Sequence, residues 1–322
     1  MSQHQSQSQS QSQSQSQSQS QKQQEPLPAT IWGWWRGMVA VSVVNVAAAC
    51  YLLTRAHATG RLPCVAAGWL AFAYVAVCAF RSVLPRIDNA RVCLFDTPAS
   101  TPLVGRTAST VAELSFIALV VMCVYRLAAQ VDACSRGGGA VAAAAPRIAT
   151  RLSLAAAAMV AVAECLSWAG CLADYELWNA AEELLWAVAA TALLGGVVLL
   201  YAAAKTCLHP EPLAQVLAMA AAGAVAYIAF MWKVDIPMYV RKWRQRADGD
   251  RDGRLSWAEL TSDFRQAHRK GGSLRDRARR MHACDAATDQ MGAWRDDLPW
   301  FTGYFVLAAW AALALCAWYL SA

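Results

Sequence analysis

Seven stretches of this 322-residue chain run apolar for about twenty residues each, without the polar break every third or fourth position that a soluble core helix carries. They lie near residues 31–53, 62–80, 108–128, 152–173, 177–204, 213–232 and 298–320. A run of about 18 apolar residues crosses the hydrocarbon core as a helix. A helix is required there, because lipid offers no partner to backbone N–H and C=O groups. Composition agrees: 57% of residues are apolar and 16% charged, against roughly 25% charged in a soluble chain. The expected fold class is all-α, a polytopic helical membrane bundle of about seven spans.

Aromatic residues gather at the ends of these runs. Trp32, Trp34 and Trp35 stand at the first, Trp232 at the sixth, and Trp300, Trp318 and Tyr319 at the seventh. Such rings favour the headgroup level. The predicted organisation is a disordered Gln/Ser-rich tail over 1–30, a six-span bundle over 31–232, a segment outside the bilayer over 233–297, and a seventh span over 298–322. The tail has nothing apolar to bury and lacks a signal-peptide pattern, so the first span is expected to act as the insertion signal.

With seven spans, the tail and the loops after spans two, four and six share one face. That face carries Arg81, Arg86, Arg91 and Arg106, together with Lys233, Arg241, Lys242, Arg244 and Arg246. The positive-inside rule assigns it to the cytoplasm. The net charge of +6 is concentrated between Lys233 and Arg295, so no nucleic-acid partner is expected. The eleven cysteines include no CxxC pair. Most, such as Cys50, Cys78, Cys123, Cys165 and Cys316, fall inside apolar runs and are expected to pack as small hydrophobes.

The stretch DGDRDGRLSWAEL, residues 248–260, breaks this apolar pattern. Asp248, Asp250 and Asp252 alternate, Gly253 follows, and Glu259 closes a window of twelve. The stretch resembles the EF-hand calcium loop, and the resemblance covers about 30 residues with its flanks. It implies a calcium ion as cofactor, held by Asp248, Asp250 and Asp252, the carbonyl of Arg254, Ser256 through a water, and both oxygens of Glu259. Gly253 fits the sharp turn, and Leu255 the apolar eighth position. Tyr239, Val240 and Trp243 before the loop, and Leu260 and Phe264 after it, are spaced as apolar helix faces, predicting a helix-loop-helix insert. EF-hands come in pairs, and the window from Asp285 to Asp296 is at best a degenerate partner. A lone hand implies weak binding, on the order of 10⁻⁵ M or poorer, or pairing with a second copy as a homodimer.

Carboxylates inside the spans cost at least about 2.5 kcal/mol each near the bilayer centre, so Glu113, Glu164, Glu182 and Glu183 mark a candidate polar cluster. Two lie in a repeated pattern, AECLSW and AEELLW, with a tryptophan four residues on and so on the same helix face. The ends of spans three, four and five that carry them share the face of the calcium loop, which brings Arg106, Asn179 and Ser167 into range as partners. The cluster could be structural packing, an ion or proton pathway, or a pocket for a cationic head group. An enzyme is the minority expectation. None of the five histidines lies in a span, and neither a GxSxG elbow nor paired intramembrane aspartates occur.

Basic residues at 265–280, among them Arg265, Arg269, Lys270, Arg275, Arg277, Arg279 and Arg280, suit contact with anionic lipids or a partner, or a merely solvated surface. Three functions remain open: a calcium-regulated channel or transporter using the glutamates, a calcium-binding membrane scaffold or sensor, and a membrane-embedded enzyme.

Overall fold

A computed structural model describes residues 30–134, 140–205, 207, 211–247 and 273–321. It has seven helices long and apolar enough to cross a bilayer, and the protein is an integral, multi-pass, all-α membrane protein. Span one is Trp32–Ala58, span two Leu62–Val83, span three Pro102–Cys134, span four Ala140–Ala173 and span five Glu176–Ala204. Span six begins at Glu211 and continues without a break through a π-helical turn, Met231–Asp235, into a helix over Ile236–Ala247. Span seven starts at Leu298, includes a π-helical segment over Gly303–Ala308, and ends at Ser321. Residues 248–272, which hold the expected calcium loop with Leu260, Phe264 and the basic positions 265–270, lie outside the described residues.

Two boundaries differ from those expected. Span three starts at Pro102 rather than near 108, drawing Arg106 into the helix. Its charge is neutralised there by intramembrane carboxylates. Span six does not end at Trp232, because the helix runs on to Ala247 and takes residues 233–247 out of the loop.

Small residues set the helix contacts. Spans four and five pack along most of their length, with Ala149, Ala156 and Ala163 facing Ala187, Ala189 and Gly196. A β-carbon on Gly196 would lie 3.3 Å from the Ala149 Cα, so the two backbones approach as only small residues allow. Trp310 Nε1 donates to Asn45 Oδ1 at 2.8 Å, tying span seven to span one. Val43, Val44, Leu62, Met219 and Leu307 point outward, as a lipid-facing surface requires.

The face carrying the loops after spans two and six has a folded cap. The strands β1 (Arg86–Ile87) and β2 (Val92–Cys93) pair antiparallel, and β3 (Ala286–Ala287) joins β2 in parallel. Further ties hold the segment before span seven in place. Asp285 N donates to the Arg91 carbonyl at 2.8 Å and Thr288 N to the Cys93 carbonyl at 3.0 Å. Trp32 Nε1 donates to Asp289 Oδ2 at 2.7 Å. The window from Asp285 to Asp296 is therefore not a second calcium loop. It forms a strand and a short helix, Met291–Trp294, and its Asp285 and Asp289 pair with Arg91 and Trp32.

Opposite this cap, Cys134 at the end of span three forms a disulfide with Cys207 after span five. These two cysteines are a covalent tie that spacing along the chain does not signal. Cys64, Cys78, Cys123 and Cys316 are free and buried among apolar side chains, whereas Cys50 and Cys165 are exposed.

Candidate functional site

Helix geometry brings the intramembrane carboxylates together. Glu113 is eleven residues along span three, ~16 Å from its start at 1.5 Å per residue. Glu164 lies nine residues before the end of span four, ~14 Å in, and Glu182 six residues into span five, ~9 Å in. All three ends open on the capped face, so the side chains meet at similar depth.

Arg106 is the hub. Its Nη2 donates to Glu113 Oε1 at 3.0 Å and to Glu164 Oε2 at 2.7 Å. Its Nη1 stands 3.6 Å from Glu182 Oε1. Thr110 Oγ1 donates to Glu164 Oε2 at 2.6 Å, and Trp168 Nε1 supports that hydroxyl at 3.1 Å. Thus one tryptophan of the repeated pattern holds its glutamate through Thr110. The other, Trp186, packs on Tyr227 instead. Asn179 Nδ2 donates to Glu182 Oε2 at 3.2 Å. Asn89, from the loop, donates to Asn179 Oδ1 at 2.8 Å and also to Glu176. Ser167 is fully buried one turn from Glu164. A β-carbon on Gly170 would lie 2.1 Å from Asn179 Oδ1, so that glycine makes room for the amide.

One carboxylate oxygen from each of Glu113, Glu164 and Glu182 falls within 4.8 Å of the others, a spacing that would suit a metal ion. The guanidinium of Arg106 reaches all three carboxylates, so we read them as an arginine cage rather than as metal ligands. A permanent cation offsets part of the desolvation cost of burying them.

A second layer closes the site towards the cap. Asp88 accepts from Arg81 Nη1 and Arg86 Nε, each at 2.8 Å. Arg81 also donates to Ser109 Oγ at 3.2 Å, and Arg86 to the Ala99 carbonyl at 3.1 Å. Burial works against the Asp88 carboxylate, but Arg81 and Arg86 together hold its carboxyl below the ordinary range. Burial, with Arg81 adding to it, brings the Arg86 guanidinium down to about 10. These arginines read in sequence as topogenic charge. In the structure they are nearly fully buried partners of the site.

The third layer comes from spans five, six and seven. Glu183 and Asp235 are 3% and 0% exposed, and their carboxyls are within hydrogen-bonding reach of each other. Trp300 Nε1 donates to Asp235 Oδ2 at 3.2 Å. Lys242 Nζ pairs with Asp297 Oδ1 at 2.5 Å. Burial raises the Asp297 carboxyl, partly offset by Lys242. Asp235 follows an apolar run and reads in sequence as the start of a loop. Only the helical continuation of span six turns it inward. Trp243, near the end of the same helix, packs on Ala173 and Tyr175 at the span four–five turn.

Between these layers lies a cavity of about 60 Å³, lined among others by Asp88, Arg106, Glu113, Glu183, Tyr239 and Trp300. It is large enough for a few waters. Around it, Arg81 Nε, Arg106 Nε, Glu113 Oε2 and Glu183 Oε2 have no protein hydrogen-bond partner. Among the described residues no cation forms an ion pair with Glu183 or Asp235, while one arginine serves three glutamates. The site therefore offers more carboxyl groups than resident cations, beside a polar cavity. No family model, no curated protein and no solved structure matches the chain.

Proposed function

We propose that the protein is a calcium-regulated channel or transporter that passes an ion by way of the intramembrane carboxylates. The observation that carries this reading is the surplus of buried carboxyl groups over cations, arranged around a polar cavity at partial depth in the membrane. Intramembrane acids that line a cavity mark ion and proton pathways, whereas acids that only pack helices need no cavity.

Residues 248–259 are the proposed calcium site, with Asp248, Asp250, Asp252, Arg254, Ser256 and Glu259 as ligands. Their regulatory role is supported by what the two ends of the loop join. The preceding helix carries Tyr239 and Lys242, and the following segment carries Asp297 and Trp300. Three of these line the cavity, and Lys242 pairs with Asp297. A calcium-induced change in the distance between the loop's ends would act directly on the cavity wall.

We assign the capped face to the cytoplasm. The excess of arginine and lysine supports this, and so does the Cys134–Cys207 disulfide on the opposite face, since disulfides persist in oxidising compartments. Arg275, Arg277, Arg279 and Arg280 lie on a short helix, Leu274–Arg280, of the capped face. There they could meet anionic lipids, and the unpaired calcium loop could pair with that of a second copy.

The test is ion flux in liposomes carrying the full-length protein, with potassium, sodium and proton indicators, before and after calcium addition. Flux that rises with calcium, and that needs at least tenfold more calcium in Glu259→Gln, is expected. A second reading, a calcium-binding scaffold without conduction, is favoured by the close pairing of Arg106 with three carboxylates. Calcium binding without flux of any ion would select it.

A further inference from the structure

We infer that Glu183 and Asp235 form a proton-binding pair and that the ion exchanged through the cavity is the proton. This rests on the transport reading above and names its substrate.

The two residues come from different helices, and their meeting depends on the shape of span six. Asp235 is the last residue of the π-helical turn Met231–Asp235. A π-turn inserts one extra residue, rotates the following side chains, and recurs at functional sites. Here it aims a carboxyl at Glu183 in a fully buried position. Span seven carries its own π-helical segment, Gly303–Ala308, where Gly303 approaches Phe230 just before the turn in span six. The irregular turn that carries Asp235 is thus packed against a second irregular helix.

The unmatched atoms point to the ligand. Trp300 satisfies Asp235 Oδ2. Asp235 Oδ1 and Glu183 Oε2 accept from no protein group, and both residues are more than nine-tenths buried. Two carboxylates in contact cannot both stay ionised in a poorly solvated place, and the usual resolution is a shared proton. The groups around the pair favour that outcome. Span five offers Glu182, span three Glu113 and Arg106, span six Tyr227, Tyr239 and Lys242, and span seven Tyr304, with Asp297 just before it. Of the two cations, Lys242 is paired with Asp297 and Arg106 with the glutamate cage. The pair is left to protons.

Glu183 lines the cavity, so a cavity water can deliver the proton. Uptake of one proton by the singly charged pair gives the neutral pair, with two carboxylic O–H bonds, and leaves hydroxide for the solvent to neutralise. Release reverses the step, and no other bond changes. Tyr227, beside the pair, packs with Trp186 and Met231 in a largely apolar cluster.

The test uses the full-length chain in liposomes with an entrapped pH dye, a valinomycin-imposed potassium potential and calcium on the accessible side. Wild type should change the internal pH, and Glu183→Gln and Asp235→Asn should each reduce the rate at least tenfold. Calcium-stimulated potassium or sodium flux with no proton flux would overturn this inference and leave the transport reading standing. Absence of flux of every ion would overturn both. Should the variants fail to fold, infrared spectra of wild type decide the pair. A carboxylic-acid C=O band that shifts in D₂O and titrates with external pH is expected, and its absence overturns the proposal.

Discussion

The guanidinium of Arg86 lies against the backbone of span three at Gly105, so closely that a β-carbon there would stand 1.6 Å from Nη2. The cap of the site therefore depends on a missing side chain in a helix. Gly105→Ala must push Arg86 away from Asp88, although the same exchange on an open helix surface stabilises by up to about 1 kcal/mol. Disrupting a buried ion pair costs about 3–5 kcal/mol. We expect the melting temperature in detergent to fall by roughly 5–10 °C. Gly223→Ala, which meets no neighbour within 4 Å, should not lower it.

Asp88 predicts how the cap responds to acid. Its carboxyl is held low in the folded protein, so its stabilisation is complete above the ordinary aspartate value of about 4 and is lost as pH falls further. Asp88→Asn leaves Arg81 and Arg86 without their shared carboxylate and should be clearly less stable than wild type at pH 7. The difference should narrow below about pH 4. Melting curves of both proteins between pH 3 and pH 8 check this, and a constant difference would contradict it.

The spans were legible because apolar length alone defines them, and Glu113, Glu164 and Glu182 stood out because charge in such runs is costly. The shared face of spans three, four and five followed from counting crossings. Arg106 was legible as a partner but not as part of the helix, since two of its three partners, Glu164 and Glu182, lie more than fifty positions away. Asp235 was not legible at all. Its role depends on the π-turn of span six, and no periodicity announces an extra residue in a helix. Arg81, Arg86 and Asp88 look like loop charges until the hairpin β1–β2 folds them back over the site.

The arginine cage makes a coupling prediction. Arg106→Gln leaves three buried carboxylates without their cation and should cost about 3–5 kcal/mol. Glu164→Gln removes one partner but leaves Glu113 and Glu182 on the arginine, so its cost should be smaller. If the 2.7 Å contact between them is the main interaction of each, the double variant should be less destabilised than the sum. Melting temperatures of the four proteins give the cycle, and strict additivity would argue against a shared cage.

The proposed calcium loop predicts a ranking of variants in the full-length protein. Glu259 would supply two oxygens and Ser256 a contact through water, so Glu259→Gln should weaken calcium binding far more than Ser256→Ala. Isothermal titration checks the order. No heat at millimolar calcium in wild type would remove the calcium reading altogether.

Whether the buried carboxylates carry an ion or only join helices is decided by one comparison. Wild type and Glu164→Gln are reconstituted in parallel, and calcium-stimulated flux and melting temperature are measured on the same preparations. Glutamine keeps the shape and a hydrogen-bonding oxygen while removing the charge. We predict that flux falls at least tenfold while the variant still inserts and melts cooperatively. Full flux in the variant, with a lowered melting temperature as the only change, would show the cluster to be structural and would contradict the proposed function.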